Sequence, residues 1–399
     1  MDRENCCQCK DVRIVEEVFG QILSRNERVL EVANGKPSDD DDATFPAEVK
    51  SYRMSNNHGT EVVVINWAAT IVSIKCLDKY GQPADIALGF DDLDSKTYSN
   101  NGTARGRWLE ARLTRDRRCA GYLDPKLSDA LGGTVDSCDD LGRRLWESRV
   151  EDGRRVVMSC LSAAGEDGRP GALLASVKFE LTGRNSLEVA MRAVASRPRP
   201  VNLTHYCVLN LAGHAAGSEE LRAHEVALNC DRWLSRAGAC ELPTLRPVGG
   251  SALDLRVPRP LGRLIDELAD EAAHPHYLTL SRCGTATGPQ PSMRFAARLL
   301  HRNSGRSVAL TIGKPCATRF LEVYSDQPGL DLSVGGELSD CLPGKCGASY
   351  RRFGGFGLLP RNQLAGAAPF PSATLRPGQV YYNDLLYRFG VDLDDCCLP

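Results

Sequence analysis

The sequence predicts an all-β protein, a large antiparallel β-sandwich, and three observations favour this fold. Short runs rich in β-branched and aromatic residues alternate with turn residues from about residue 48 onward, as in "TEVVVINWAATIVSIKCLD", "RRVVMSCLSA" and "ALLASVKFEL". Long helical periodicity is scarce in the same region, and no repeat of fixed period is present. With 399 residues, the chain is long enough for one large domain of this kind or two average ones.

The N-terminal region is predicted to differ from the rest. Residues 11–32 carry apolar positions at helical spacing, namely Val15, Val18, Phe19, Ile22 and Leu23. The acidic, breaker-rich run "PSDDDDATFP" (Pro37–Pro46) predicts a linker. We therefore predict a helical extension and linker over residues 1–47 and a sandwich domain over residues 48–395. A second helix is predicted at "LGRLIDELADEA", residues 261–272.

The composition excludes several classes of function. Apolar residues make up 42% and charged residues 25% of the chain, as in ordinary folded proteins, and the formal net charge is -2. This balance predicts neither nucleic-acid binding nor a polybasic membrane patch. No apolar run approaches the roughly 20 residues of a membrane helix. The start "MDRENCCQCK" lacks an apolar signal core, so we expect a cytoplasmic location.

The 16 cysteines are expected to be mostly reduced thiols. Cys76, Cys160, Cys207 and Cys230 lie in strand-like runs and are predicted to be buried. Two terminal groups remain, formed by Cys6, Cys7, Cys9, Cys396 and Cys397. They lack the paired spacing of zinc ligands, so we predict exposed or terminus-linking thiols, with metal binding as the alternative. No metal and no cofactor is predicted.

Five stretches carry a further signal, in a fixed order. They are "NWAATIVSIKCLDKYGQPADIALGFDDLDSKTY", "PRPVNLTHYCVLNLAGHA", "GSALDLRVPRPLG", "RFLEVYSDQPGLDL" and "FPSATLRPGQVYYNDLLYRF". Through them the chain from about Met54 to Val391 resembles the aldose 1-epimerase (galactose mutarotase) family. The resemblance implies an antiparallel β-sandwich with a sugar cleft on one broad sheet face. It also implies acid–base catalysis of anomer interconversion, by a Glu base, an acid His, a second His and an Asp that holds sugar hydroxyls.

The positions that match those four residues carry other side chains here. Leu359 stands at the Glu of the family's G-F-x-L-E-T motif, and Tyr206 stands at the acid His of T-N-H-x-Y-F-N-L. Leu131 replaces the second His, and Pro275 replaces the Asp. From the family's Asn-Arg pair only the arginine, Arg112, is retained. Leucine and proline have no ionisable group, and tyrosine has an unperturbed pKa of about 10. Catalysis of the family's kind is therefore not expected.

One histidine lies next to a changed position. His205 precedes Tyr206, so in a strand it points to the opposite face, and only a β-bulge would return it to the cleft. We name Arg112, His205, Tyr206 and His276 as candidate binding residues, with Trp108 and Arg361 as further contacts. Arg112 as a structural ion-pair partner, and His205 and His276 as hydrogen-bonding residues of the interior, remain the alternatives.

These observations predict a pseudoenzyme, an aldose 1-epimerase-like protein that binds a carbohydrate, a less polar small ligand or a protein. The alternative is an active aldose 1-epimerase with a rearranged site, acting on hexoses such as galactose and glucose. It would need a carboxylate such as Asp254, Asp326 or Glu337 near the cleft floor. A protein partner is suggested through residues 11–32, and neither nucleic acid nor membrane is expected as a partner.

Overall fold

The computed structural model describes most of the chain. The described residues are 12–25, 44–91, 93, 113–115, 141, 144–165, 171–235, 244–281, 293–301, 319–338, 341–362 and 374–392.

Twenty-six strands dominate the described residues. The first thirteen are β1 (Val12–Arg25), β2 (Thr44–Asn56), β3 (Glu61–Ile65), β4 (Thr70–Leu77), β5 (Pro83–Asp85), β6 (Leu113–Arg115), β7 (Glu147–Glu151), β8 (Arg155–Ser162), β9 (Leu173–Leu181), β10 (Ser186–Ala195), β11 (Arg199–Pro200), β12 (Leu203–His205) and β13 (Val208–Leu209). The others are β14 (His224–Leu228), β15 (Cys230–Ser235), β16 (Thr244–Pro247), β17 (Arg259–Pro260), β18 (His276–Leu280), β19 (Arg294–His301), β20 (Arg319–Ser325), β21 (Gly329–Ser333), β22 (Leu342–Pro343), β23 (Ser349–Tyr350), β24 (Phe356–Arg361), β25 (Thr374–Leu375) and β26 (Tyr381–Val391).

The helices of the described residues are short. Helix α1 spans Gly217–Arg222, and helix α2 spans Leu261–Leu268 and continues as a 3₁₀ turn over Ala269–Ala273. The predicted helix over residues 261–272 is therefore confirmed. Helix α2 buries Leu261, Leu264 and Ile265 against the core. Among the described residues, no helix has both the length and the apolar character needed to cross a membrane.

Three large antiparallel sheets form the architecture. The first has five strands in the order β1-β2-β3-β4-β5. The second has nine, in the order β17-β14-β19-β20-β26-β10-β9-β8-β7, and the third has six, in the order β13-β24-β21-β18-β15-β16. Buried residues alternate with more exposed ones along β9 and β10, as expected for a sheet with one face on the core. The predicted β-sandwich is confirmed.

The predicted helix over residues 11–32 is wrong where the structure describes it. Residues Val12–Arg25 form β1, an edge strand of the five-stranded sheet that pairs antiparallel with β2. The predicted boundary after residue 47 consequently falls inside β2. Residues 26–43, which include most of the predicted linker, lie outside the described residues. A partner-binding role for residues 11–32 remains a prediction, and the described part of that range, Val12–Arg25, is a strand.

A β-bulge explains why the sequence of β1 looks helical. The register with β2 shifts between Val18 and Gly20, so the side chains change face at this point. Val12 and Ile14 pack against the main core, whereas Phe19 and Ile22 pack against a second apolar cluster. The change of face breaks the period of two and leaves apolar residues at spacings of three and four, which is the pattern of a helix.

The thiols of Cys76, Cys160, Cys207 and Cys230 are buried, as predicted. Burial raises the pKa of the Cys76 thiol to about 12, so it is protonated at neutral pH. Cys341 and Cys346 are exposed. The terminal cysteine groups lie outside the described residues.

A buried histidine pair joins β14, β19 and α1. His224 and His301 lie directly opposite each other, with ring centroids 4.6 Å apart. His224 Nε2 accepts a hydrogen bond from the Leu211 amide at 2.9 Å, so its Nδ1–H donates to the Glu220 carbonyl at 2.8 Å. The Glu220 carboxylate lies 2.8 Å from His301 Nε2. Burial, and then the charge of His301, lower the pKa of His224 to about 3.

Acid should therefore destabilise the fold through His224. The folded state holds this imidazole neutral, while the unfolded chain protonates it below about pH 6.5. Its contribution is complete above that pH and is lost as the pH falls toward about 3. We expect a loss of about 2 kcal/mol in the free energy of unfolding between about pH 6.5 and 5.

Urea denaturation at both pH values measures this loss. His224→Gln, whose amide can replace both hydrogen bonds without titrating, should show a smaller loss than the parent. The exposed His58→Gln should behave like the parent protein. An unchanged acid dependence in His224→Gln would contradict the assignment.

Candidate functional site

The six-stranded sheet presents two faces of different chemistry. Leu278, Leu330, Leu332, Phe356 and Leu358 point from one face into the main core. Because side chains alternate along a strand, the opposite face carries the intervening residues. We call this opposite face the site face, and its central residues are Tyr277, Asp331, Ser333, Leu359 and Arg361.

The strand register places three of these residues in one row. Tyr277 of β18 lies opposite Asp331 of β21, and Asp331 lies opposite Leu359 of β24. Leu359 is 7% exposed and belongs to the second apolar cluster. The position that matches the family's base is therefore an apolar side chain on this face.

Tyr206 reaches the same face from the short connection between β12 and β13. Its ring packs over Gly357, where an added Cβ would lie 2.8 Å from Tyr206 Cε2. Tyr206 and Leu359 belong to the same apolar cluster, together with Val208 and Leu338. The structure thus brings together the two residues that match the family's acid and base.

Glu337 supplies a carboxylate beside Tyr206. The Tyr206 hydroxyl donates a hydrogen bond to Glu337 Oε1 at 3.2 Å, and the Ser333 hydroxyl donates to the same oxygen at 2.6 Å. Glu337 Oε2 is buried and has no hydrogen-bond partner among the described residues. Of the three carboxylates considered from the sequence, Glu337 is the one next to Tyr206.

A glycine turn after β21 positions Glu337. Gly335 has a φ of 70°, and its amide donates to Ser333 Oγ at 3.1 Å. A Cβ at Gly336 would lie 2.0 Å from the Ala272 carbonyl oxygen, so only glycine permits this approach. The run "SVGGEL" shows in the sequence that a glycine turn precedes Glu337. It does not show that Gly336 packs against Ala272, because these two residues are distant in the chain.

Tyr206 is a poor proton donor in this setting. Burial, and then the negative charge of Glu337, raise the pKa of the Tyr206 hydroxyl well above its usual value near 10. A general acid works best with a pKa near the operating pH. The phenol can therefore donate a hydrogen bond, but it stays protonated at neutral pH and is a weak acid.

The other charges of the site face neutralise each other. Asp331 and Arg361 form a bidentate ion pair, with bonds of 2.7 Å from Arg361 Nε and 3.0 Å from Nη2, and both side chains are buried. The Arg361 guanidinium also lies 5.0 Å from the centre of the Tyr277 ring. Paired geometry of this kind fixes both groups in orientation.

The two candidate histidines do not reach the site face, which corrects their proposed role as ligand contacts. His205 is fully buried, and its ring meets Phe179 of β9 edge-on at 5.7 Å. His276 lies opposite Leu332, on the core face of β18, with Nε2 3.1 Å from the Glu271 carbonyl oxygen. Both follow from strand alternation, and no bulge turns His205 toward Tyr206. They are residues of the interior, the alternative left open above.

The remaining candidates fall into two groups. Pro275 immediately precedes β18 and carries no ionisable group there. Leu131, Arg112 and Trp108 lie outside the described residues. Two carboxylates lie elsewhere: Asp254 pairs with Arg256 at 2.8 Å in a surface loop, and Asp326 accepts a hydrogen bond from the Asp384 amide of the nine-stranded sheet.

Comparisons with known proteins identify the chains to which this one is similar. The family model described as aldose 1-epimerase matches residues 132–388. The curated galactose mutarotases of Bos taurus and Homo sapiens are each 32% identical over 340 residues, covering 83% of this chain and 91% of their own length. A GalM/aldose epimerase homologue from C. elegans has a TM-score of 0.63 at 21% identity, over 84% of this chain and 97% of its own.

A second solved structure supports the same fold. The galactose 1-epimerase from Lactobacillus acidophilus NCFM has a TM-score of 0.64 at 16% identity, over 94% of this chain and 99% of its own. At these identities the solved structures establish the fold alone. The fold is thus that of the galactose mutarotase-like β-sandwiches. With the family-model match and the curated relatives, the chain belongs to the aldose 1-epimerase family.

The Asp331–Arg361 pair offers a test of the site face. Asp331→Asn keeps the shape of the side chain but removes the negative charge that pairs with the buried Arg361. Breaking a buried pair in this way is expected to cost about 3–5 kcal/mol of unfolding free energy. Asp266→Asn, which breaks the exposed Asp266–Arg222 pair, should cost less than about 1 kcal/mol. Urea denaturation measures both, and equal losses would contradict the assignment.

Proposed function

We propose that this member of the aldose 1-epimerase family binds a ligand on the site face without the family's acid–base catalysis. The observation that supports this most directly is the meeting of Leu359 and Tyr206 on one face, while His205 and His276 point into the interior. A hydrocarbon side chain therefore stands at the base position and a phenol with a raised pKa at the acid position.

Mutarotation needs two proton transfers. A base must take the proton from the anomeric hydroxyl, and an acid must protonate the ring oxygen as the C1–O5 bond breaks. Each such group typically contributes about 10²–10⁴-fold to the rate, and groups that act together lose most of their effect when one is removed. The side chains at the two family positions supply neither transfer at neutral pH.

Polarimetry with α-D-galactose and α-D-glucose tests the proposal. We expect the change in optical rotation to follow the uncatalysed rate, because neither Leu359 nor Tyr206 supplies the required proton transfer at neutral pH. The Bos taurus galactose mutarotase serves as the positive control under the same conditions. Conversion by this chain at the rate of that control would refute the proposal.

An active epimerase with a rearranged site is the second candidate, and the Tyr206–Glu337 hydrogen bond is the observation that favours it. Glu337 would accept the O1 proton, the O1 electron pair would form the carbonyl, and C1–O5 would break as O5 takes the Tyr206 proton. Ring closure on the other face of C1 would return both protons. The raised pKa of Tyr206 opposes this sequence.

Three variants distinguish the two candidates. If the second is correct, Glu337→Gln and Tyr206→Phe should each lower a measurable rate by about 10²-fold or more, because each removes one proton-transfer group. The exposed Glu219→Gln is the matched control and should leave the rate unchanged. If Glu337→Gln and Tyr206→Phe both keep the enzymatic rate of the parent protein, Glu337 and Tyr206 are not the proton-transfer groups.

A further inference from the structure

We propose that Glu337 makes the site face selective for a sugar that carries a protonated amine. The inference rests on the ligand-binding function proposed above. It adds the chemical class of the ligand and the residue that selects it.

The first observation is the uneven hydrogen bonding of the carboxylate. Oε1 accepts from both Ser333 and Tyr206, whereas Oε2 is buried without a donor among the described residues. A buried polar atom without a partner typically costs about 1–3 kcal/mol, and more when it is charged. One explanation for such an atom in a folded protein is that a bound group donates a hydrogen bond to it. A ligand that donates to Oε2 would recover this free energy.

The second observation concerns charge. The donors to Glu337, Ser333 and Tyr206, are both neutral, and no Lys or Arg of the described residues forms an ion pair with it. Asp331 is already neutralised by Arg361. Among the described residues, the site face consequently carries one carboxylate, that of Glu337, which forms no ion pair. A cationic donor satisfies both the orphaned oxygen and this charge, whereas a hydroxyl satisfies only the first.

The third observation concerns access. Glu337 as a residue is partly exposed, although its Oε2 is covered. The terminal torsion of a glutamate is broad and roughly two-fold. A ligand that binds Oε2 therefore turns the whole carboxylate, because both oxygens move together, and the Ser333 and Tyr206 hydroxyls follow by rotating their O–H bonds.

Calorimetric titration of the full chain with three sugars tests the proposal. The probes are D-galactosamine, N-acetyl-D-galactosamine and D-galactose, at about pH 6, where a primary amine with a pKa near 8 is protonated. We expect D-galactosamine to bind about 10-fold more tightly than the two neutral sugars, the gain of a charged over a neutral hydrogen bond. Glu337→Gln should abolish this preference, and Glu219→Gln should retain it.

Each outcome separates the two proposals. Equal binding of the three sugars, or a preference that survives in Glu337→Gln, would overturn amine selection and leave ligand binding in place. Binding of none of the three by the folded protein would overturn amine selection and sugar binding together. Should Glu337→Gln fail to fold, the parent protein still decides the point. D-galactosamine binding must weaken as the pH rises past the amine pKa, while D-galactose binding stays constant.

Discussion

The alternation of side chains along a paired strand is the constraint on which the site depends. In the six-stranded sheet it directs Leu330, Leu332 and Leu358 into the main core and turns Asp331 and Leu359 to the other side. A residue can change side only through a bulge. The same rule therefore fixes what the site face contains and excludes neighbouring residues, however suitable their chemistry.

The histidines show how strict this constraint is. An imidazole one position before Tyr206 would be the natural acid for sugar chemistry, yet it lies against Phe179 on the interior side. What remains beside Tyr206 is a carboxylate held by two hydroxyl donors. The described part of the site face thus carries hydrogen-bonding groups and a carboxylate beside Tyr206, and it includes neither His205 nor His276.

The sequence predicted the all-β fold, the four buried thiols and the opposite directions of His205 and Tyr206. These follow from local pattern or from ordered motifs. The strand nature of β1 was not predictable, because the bulge beside Phe19 mimics helical spacing. The contact of Glu337 with Tyr206 depends on Gly336 closing on Ala272, residues that are distant in the chain. Periodicity carries no information about such contacts.

Strand β1 has a wider consequence because it belongs to both apolar clusters. Its first half packs with Val12 and Ile14 on the main core, and its second half reaches, through Phe19 and Ile22, the cluster that contains Tyr206 and Leu359. Strand β1 thereby supports the cluster in which the residues at two of the family positions meet. Shortening or splicing within β1 would disturb the packing of that cluster from a distance, without changing Tyr206 or Leu359 themselves.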